Sequence, residues 1–204
     1  MRNDSYASTL LTHAQQLYSF AVNATSGRRT YQTSVPQATV SYGSSGYGDD
    51  LAIAALFLSW ATGSASLYQE AEAYYSQYSL DDWTGVFNWD SKTPGLPVLF
   101  SQISHAFPNI SGNFSTWQKA AESYFDAVIS GKGSGYLTKG IRPFKQLLYY
   151  ISADNIGQSA GGLLYYNGDS DAASLNPALN AAMLFHRFVP LASTNEKKVA
   201  YQVS

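Results

Sequence analysis

The 204-residue chain has only 13% charged residues and a formal net charge of −2, which excludes the basic footprint of a nucleic-acid binder or of a protein drawn to an acidic membrane surface. Its length suffices for one domain with a sizeable core, and no uninterrupted apolar run is long enough to span a membrane. Cysteine is absent, so neither a disulfide framework nor a thiolate metal site enters the argument.

Residues 1–5 contain no apolar stretch of the signal-peptide kind. Beyond them, Ala7, Leu10, Leu11, Ala14, Leu17, Tyr18 and Ala21 recur at the helical period and predict an amphipathic helix over about 5–23. The near-continuous apolar run 51–58 predicts a buried helix reaching about residue 61, capped by Asp49 or Asp50 and stopped by Gly63. Ser66 with Gln69 forms a capping-box pattern for a third helix to about 77. Pro97 in a first turn predicts a fourth over about 97–105. Ser115 with Gln118 repeats the capping box ahead of a stripe made by Trp117, Ala121, Tyr124, Phe125 and Val128, with Gly131 as the stop. Pro177, following Asn176, starts a last helix that runs through Phe188 and ends before Pro190. Gly, Ser and Pro loops join these elements and no strand alternation is sustained, so the expected fold class is all-α, helix packed on helix.

Three segments carry a resemblance. They are Ser-Ser-Gly-Tyr-Gly-Asp-Asp-Leu at 44–51, Phe-Asn-Trp-Asp-Ser-Lys-Thr-Pro-Gly at 87–95, and Gly-Gly-Leu-Leu-Tyr-Tyr at 161–166 leading to Asn180-Ala181-Ala182. In this order they resemble glycoside hydrolase family 9, the inverting endo-β-1,4-glucanases. The likeness runs over about 5–192 and covers the middle of a family catalytic domain. It implies a partial (α/α)6 toroid with about half of the helices present, making residues 1–204 one partial catalytic domain. It also implies a cleft formed by loops, a cellulose-like β-glucan as partner, no cofactor, and an extracellular location although no signal peptide is present. By the same resemblance Trp89 stacks on a glucosyl ring, Asp90 binds sugar hydroxyls, and Tyr42 is a further cleft aromatic.

Read from the residues alone, these positions have plainer accounts. Tyrosine, at 16 copies, offers a flat apolar face with a polar edge that suits packing as well as sugar stacking. Asp90 lies in a loop before a helix, where a loop-stabilising hydrogen bond explains it equally well. Tyr47 and Trp60 read as packing.

Hydrolysis with inversion needs a carboxylate base and a carboxylic acid roughly 6.5 to 9.5 Å apart. In the family the base belongs to an Asp-(Ala/Gly)-Gly-Asp motif upstream of the part matched here, and the acid to an Asn-Glu motif downstream. Neither stands in place in this sequence, so no catalytic residue is assigned and the chain is expected to be inactive alone. Asn195-Glu196 repeats the dipeptide only fifteen residues after Asn180, and reads as a solvated charged turn. Helix-start chemistry accounts for Asp49 and Asp50, and a polar turn accounts for Asp81 and Asp82. His13, His105 and His186 sit on different helices without an acidic partner at ligand spacing, so no metal site is expected. His186-Arg187 reads as a helix-borne surface pair. A non-catalytic glucan-binding or helical structural domain is the alternative function.

Four Asn-x-Ser/Thr sequons, at Asn3, Asn23, Asn109 and Asn113, are permitted on a secreted surface. The family pattern would pass almost directly from Tyr136-Leu137-Thr138-Lys139-Gly140 to Gly161, yet residues 141–160 intervene. This stretch is read as an insertion or a retained intron, its codons being able to hold donor, branch and acceptor signals, in preference to a surface loop. Residues 193–204 depart from the family pattern. Ser170, Asp171 and Asn176 stand where many bacterial members carry Trp and Arg.

Overall fold

The computed structural model describes residues 3–24, 27–81, 85–110, 112–130 and 175–202, with the side chains of Tyr42 and Ser130 excepted. The segment 141–160, the Gly131 stop, the 161–166 motif and the Ser170-Asp171 substitution lie outside those residues. Every regular element among the described residues is helical. Cα packing divides the chain into two compact units, Met1–Asp81 with Ile103–Gly112 and Asp82–Gln102 with Asn113–Ser204.

In the first unit α1 spans Asp4–Val22, and the carboxamide of Asn3 accepts the Tyr6 N–H at 3.0 Å as its N-cap. The expected apolar stripe is present, but no residue of α1 is buried. Two 3₁₀ turns, Tyr31–Thr33 and Pro36–Ala38, lead into the one-turn α2, Thr39–Tyr42. Helix α3, Gly48–Thr62, begins three residues before the expected start, and its N-cap is Tyr47 rather than Asp49 or Asp50. Both aspartates fall in the first turn, where they face the positive end of the helix dipole instead of capping it. At this start the Tyr78 ring lies against Gly48, leaving no room there for a β-carbon, and Tyr47 meets the same ring edge-on at 5.6 Å.

Helix α3 is buried on one side only. Ala52, Ala55 and Leu56 are fully covered, whereas Phe57 is 58% exposed, so the expectation of an all-round buried helix is corrected. Gly63 ends it in the left-handed region, φ +70°, as expected. Ser64, not Ser66, then caps α4, Ala65–Gln77, because the left-handed turn makes Ser64 the first extended residue. The buried hydroxyls of Tyr68 and Ser104 share a 2.7 Å hydrogen bond within this unit.

The second unit contains the 3₁₀ turn Thr93–Gly95, most of α5 (Leu96–Ala106), α6 (Phe114–Ser130), α7 (Asn176–Phe188), a 3₁₀ turn at Val189–Leu191 holding Pro190, and α8 (Asn195–Gln202). Asn113 caps α6 by accepting the Thr116 N–H, in place of the expected Ser115. The α6 stripe is buried throughout, from Trp117 to Val128. Phe125 is its centre, with ring centroids 4.4 Å from Phe185, 5.1 Å from Phe188 and 5.2 Å from Tyr201. Phe100 stacks on Trp117 at 3.9 Å.

Helix α8 replaces the charged turn expected at Asn195-Glu196. Glu196 remains exposed in its first turn, but the adjacent Lys197 is tied down, its ammonium 2.8 Å from both Glu122 and Asp126 of α6. Glu122 also accepts the Ser193 N–H at 2.7 Å, and Tyr201 donates to Asp126 at 2.8 Å. Burial, reinforced by Asp126, holds the Tyr201 hydroxyl protonated well above its ordinary range. Burial alone would lower the Lys197 pKa, but the hydrogen bonds to Asp126 and Glu122 outweigh it and the net shift is upward.

Candidate functional site

The Phe-Asn-Trp-Asp segment belongs to the second unit and forms a closed turn immediately before the 3₁₀ entry to α5. Asn88 organises it. Its side-chain oxygen accepts the backbone N–H of Asp90 at 2.9 Å and of Ser91 at 2.8 Å, while its own N–H donates to the Ser91 carbonyl at 3.0 Å. This is an Asx-type turn, in which a carboxamide stands in for a backbone acceptor. Lys92 adds a 2.7 Å bond from its ammonium to the Trp89 carbonyl. The turn leaves the Trp89 side chain 52% exposed, with Asp90 half-buried beside it.

Phe87, at the base of the turn, packs on the hydrophobic core of the second unit. Its ring lies over the backbone of Gly95, where a β-carbon would come within 2.8 Å of the ring edge. Glycine at 95 is therefore a requirement of close approach. The Phe87 carbonyl accepts from the carboxamide of Asn180 on α7 at 2.8 Å, and that same amide nitrogen donates to the Asn176 side chain at 3.0 Å.

Of the residues singled out in the sequence, the structure brings Trp89 and Asp90 together on this turn. Tyr42 is the last residue of α2 in the first unit, and its side chain lies outside the described atoms. Tyr47 and Trp60 are packing residues, the latter edge-on to Phe107 at 6.4 Å. His186 and Arg187 are exposed in the last turn of α7. Asn88 escaped the sequence reading, although Asn favours turns because its side chain can bond the backbone two residues on. Among the described residues no helix is long and apolar enough to cross a membrane.

Comparison with known proteins identifies the family: the sequence profile of glycosyl hydrolase family 9 matches residues 1–202. Endoglucanase 5 of Arabidopsis thaliana is 32% identical over 176 residues, 80% of this chain and 23% of that protein. Endoglucanase 2 of the same plant is 35% identical over 111 residues, 53% of this chain and 20% of that protein. Among solved structures, an endoglucanase from the termite Nasutitermes takasagoensis, at pH 2.5, aligns with a TM-score of 0.70 and 28% identity over 98% of this chain and 38% of its own. The chain belongs to glycosyl hydrolase family 9 and has the fold of part of its (α/α)6 toroid. It spans less than half the length of these relatives.

Proposed function

We propose that this chain supplies part of the substrate cleft of a cellulase-type endo-β-1,4-glucanase domain, with an extracellular β-glucan as the polymer bound. The exposed indole of Trp89, held out on a turn closed by Asn88, is the observation that carries this reading. A half-exposed indole offers a stacking face for the apolar side of a pyranose ring. The half-buried Asp90 beside it is placed to accept hydrogen bonds from sugar hydroxyls, and charge-assisted bonds of that kind are about twice as strong as neutral ones. Tyr42, in the first unit, is proposed separately as a sugar-contacting aromatic.

Inverting hydrolysis belongs to the whole family domain. In this chain Asp90 binds, and no residue is assigned as base or acid. Each general acid or base contributes factors of about 10²–10⁴, so binding without them leaves turnover undetectable. Incubation of the purified chain with carboxymethyl-cellulose is expected to release no reducing ends. Turnover that persists through purification and disappears in Asp90→Asn would overturn the assignment and make Asp90 catalytic.

A further inference from the structure

The carboxamide of Asn180 spans two acceptors, and their chemistry settles its orientation. The Phe87 carbonyl can only accept, so the atom facing it at 2.8 Å must be the amide nitrogen. The second hydrogen of that nitrogen goes to the Asn176 side-chain oxygen at 3.0 Å, one helical turn earlier on α7. Both N–H groups are thereby used, and the rotamer of Asn180 is set by its own helix. What it fixes is the backbone two residues before Trp89. The Phe87 ring is already seated against Gly95 and the core of the second unit, so the Asn180 bond defines the peptide plane from which the Asn88 turn departs.

We infer that Asn180 is a positioning residue for the sugar-contacting turn: through the Phe87 carbonyl it sets the direction in which the Trp89 indole and the Asp90 carboxylate leave the scaffold. The inference rests on reading that turn as the glucan contact. Asn180 itself touches no substrate. Only a donor at this place serves, because an acceptor would face the Phe87 oxygen with a lone pair and push the turn away. Asn176 has a subordinate part, since it holds the donor in place.

The test uses the near-isosteric variant Asn180→Asp with Asn180→Ala, and follows the indole N–H resonance of Trp89 in the free protein, assigned through Trp89→Phe. At neutral pH the Asp variant is expected to shift or broaden that resonance while leaving the Trp117 resonance and the thermal midpoint near wild type. Acidification below about pH 4, where a carboxylic acid regains a donor hydrogen, is expected to restore the Trp89 signal toward that of wild type at the same pH. A space-filling asparagine would show neither change, and an unaltered Trp89 resonance in Asn180→Asp at neutral pH overturns the inference.

Titration with cellohexaose tests the underlying reading separately. Trp89→Ala is expected to weaken binding at least tenfold, and Asn180→Asp severalfold at neutral pH. If Trp89→Ala binds as wild type does, the glucan reading of the turn fails, whatever the resonance shows. If Trp89→Ala loses binding while Asn180→Asp keeps it, the glucan reading stands and the positioning role falls.

Discussion

Helices α1 and α6 are written in the same pattern and end in opposite environments. Helix α6 places Trp117, Ala121, Tyr124, Phe125 and Val128 on one stripe, and every one of them is buried. Helix α1 places Leu10, Leu17 and other apolar residues on a comparable stripe, yet buries none of them, and Phe20 is 75% exposed. In the second unit α6 is met by the aromatic rings of α7 and α8. In the first, α1 and α3 border an open, largely apolar groove of about 1000 Å³ lined by Leu10, Leu17, Phe20 and Phe57. A helical period encodes an apolar face, but a second surface must cover that face, and no stripe specifies where the surface comes from.

The largest expected effect separates the two regions directly. Phe125→Ala removes the ring on which Phe185, Phe188 and Tyr201 converge and should cost about 3–5 kcal/mol. Phe20→Ala, the same change on α1, should stay within about 0.5 kcal/mol, as exposed substitutions do. Urea melts followed by far-UV circular dichroism, which reports the helices of both units, measure both. Comparable losses would mean that α1 is covered in solution by something that seats Phe20.

The next effect concerns α8. Lys197→Met leaves the buried Glu122 with the Ser193 N–H as its one remaining hydrogen-bond partner among the described residues and should destabilise the second unit by about 1–3 kcal/mol. The pH dependence follows from two raised values. Lys197 and Tyr201 both hold their protons more tightly folded than unfolded, so their contribution is complete below the unfolded values of about 10 and is lost as pH rises past them. Melting midpoints should therefore fall more steeply above about pH 10 in the wild type than in a Lys197→Met, Tyr201→Phe double variant. Equal slopes would show that the clasp carries no folding energy.

These contrasts mark what could be read in the chain and what could not. The apolar stripe of α6, the left-handed stop at Gly63 and the proline start of α7 were legible because each depends on residues within one or two turns. The caps were misplaced by two residues at both Ser64 and Asn113, since neighbouring Ser, Thr and Asn candidates satisfy the same pattern and the local backbone decides among them. Helix α8 was missed for a different reason. Its ammonium and phenol partners, Glu122 and Asp126, lie 71 to 75 positions earlier, so a local reading sees only a charged run. The Trp89 turn was located from its motif, while the Asn88 and Asn180 carboxamides that hold it belong to backbone geometry and to a contact 93 residues long.

The smallest expected effect compares one cap chemistry in both regions. Asn3 caps α1 through the Tyr6 N–H, and Asn113 caps α6 through the Thr116 N–H. Replacing either with Ala removes a hydrogen bond worth about 1 kcal/mol to its helix. Asn113→Ala should lower the melting midpoint of the second unit, because α6 cannot fray without opening the Trp117 stack on Phe100. Asn3→Ala should leave all melting midpoints in place and instead speed amide hydrogen exchange in the first two turns of α1, whose opening uncovers no buried side chain. A drop in midpoint from Asn3→Ala as large as that from Asn113→Ala would show that α1 unfolds together with a packed partner, and the contrast between the two helices would collapse.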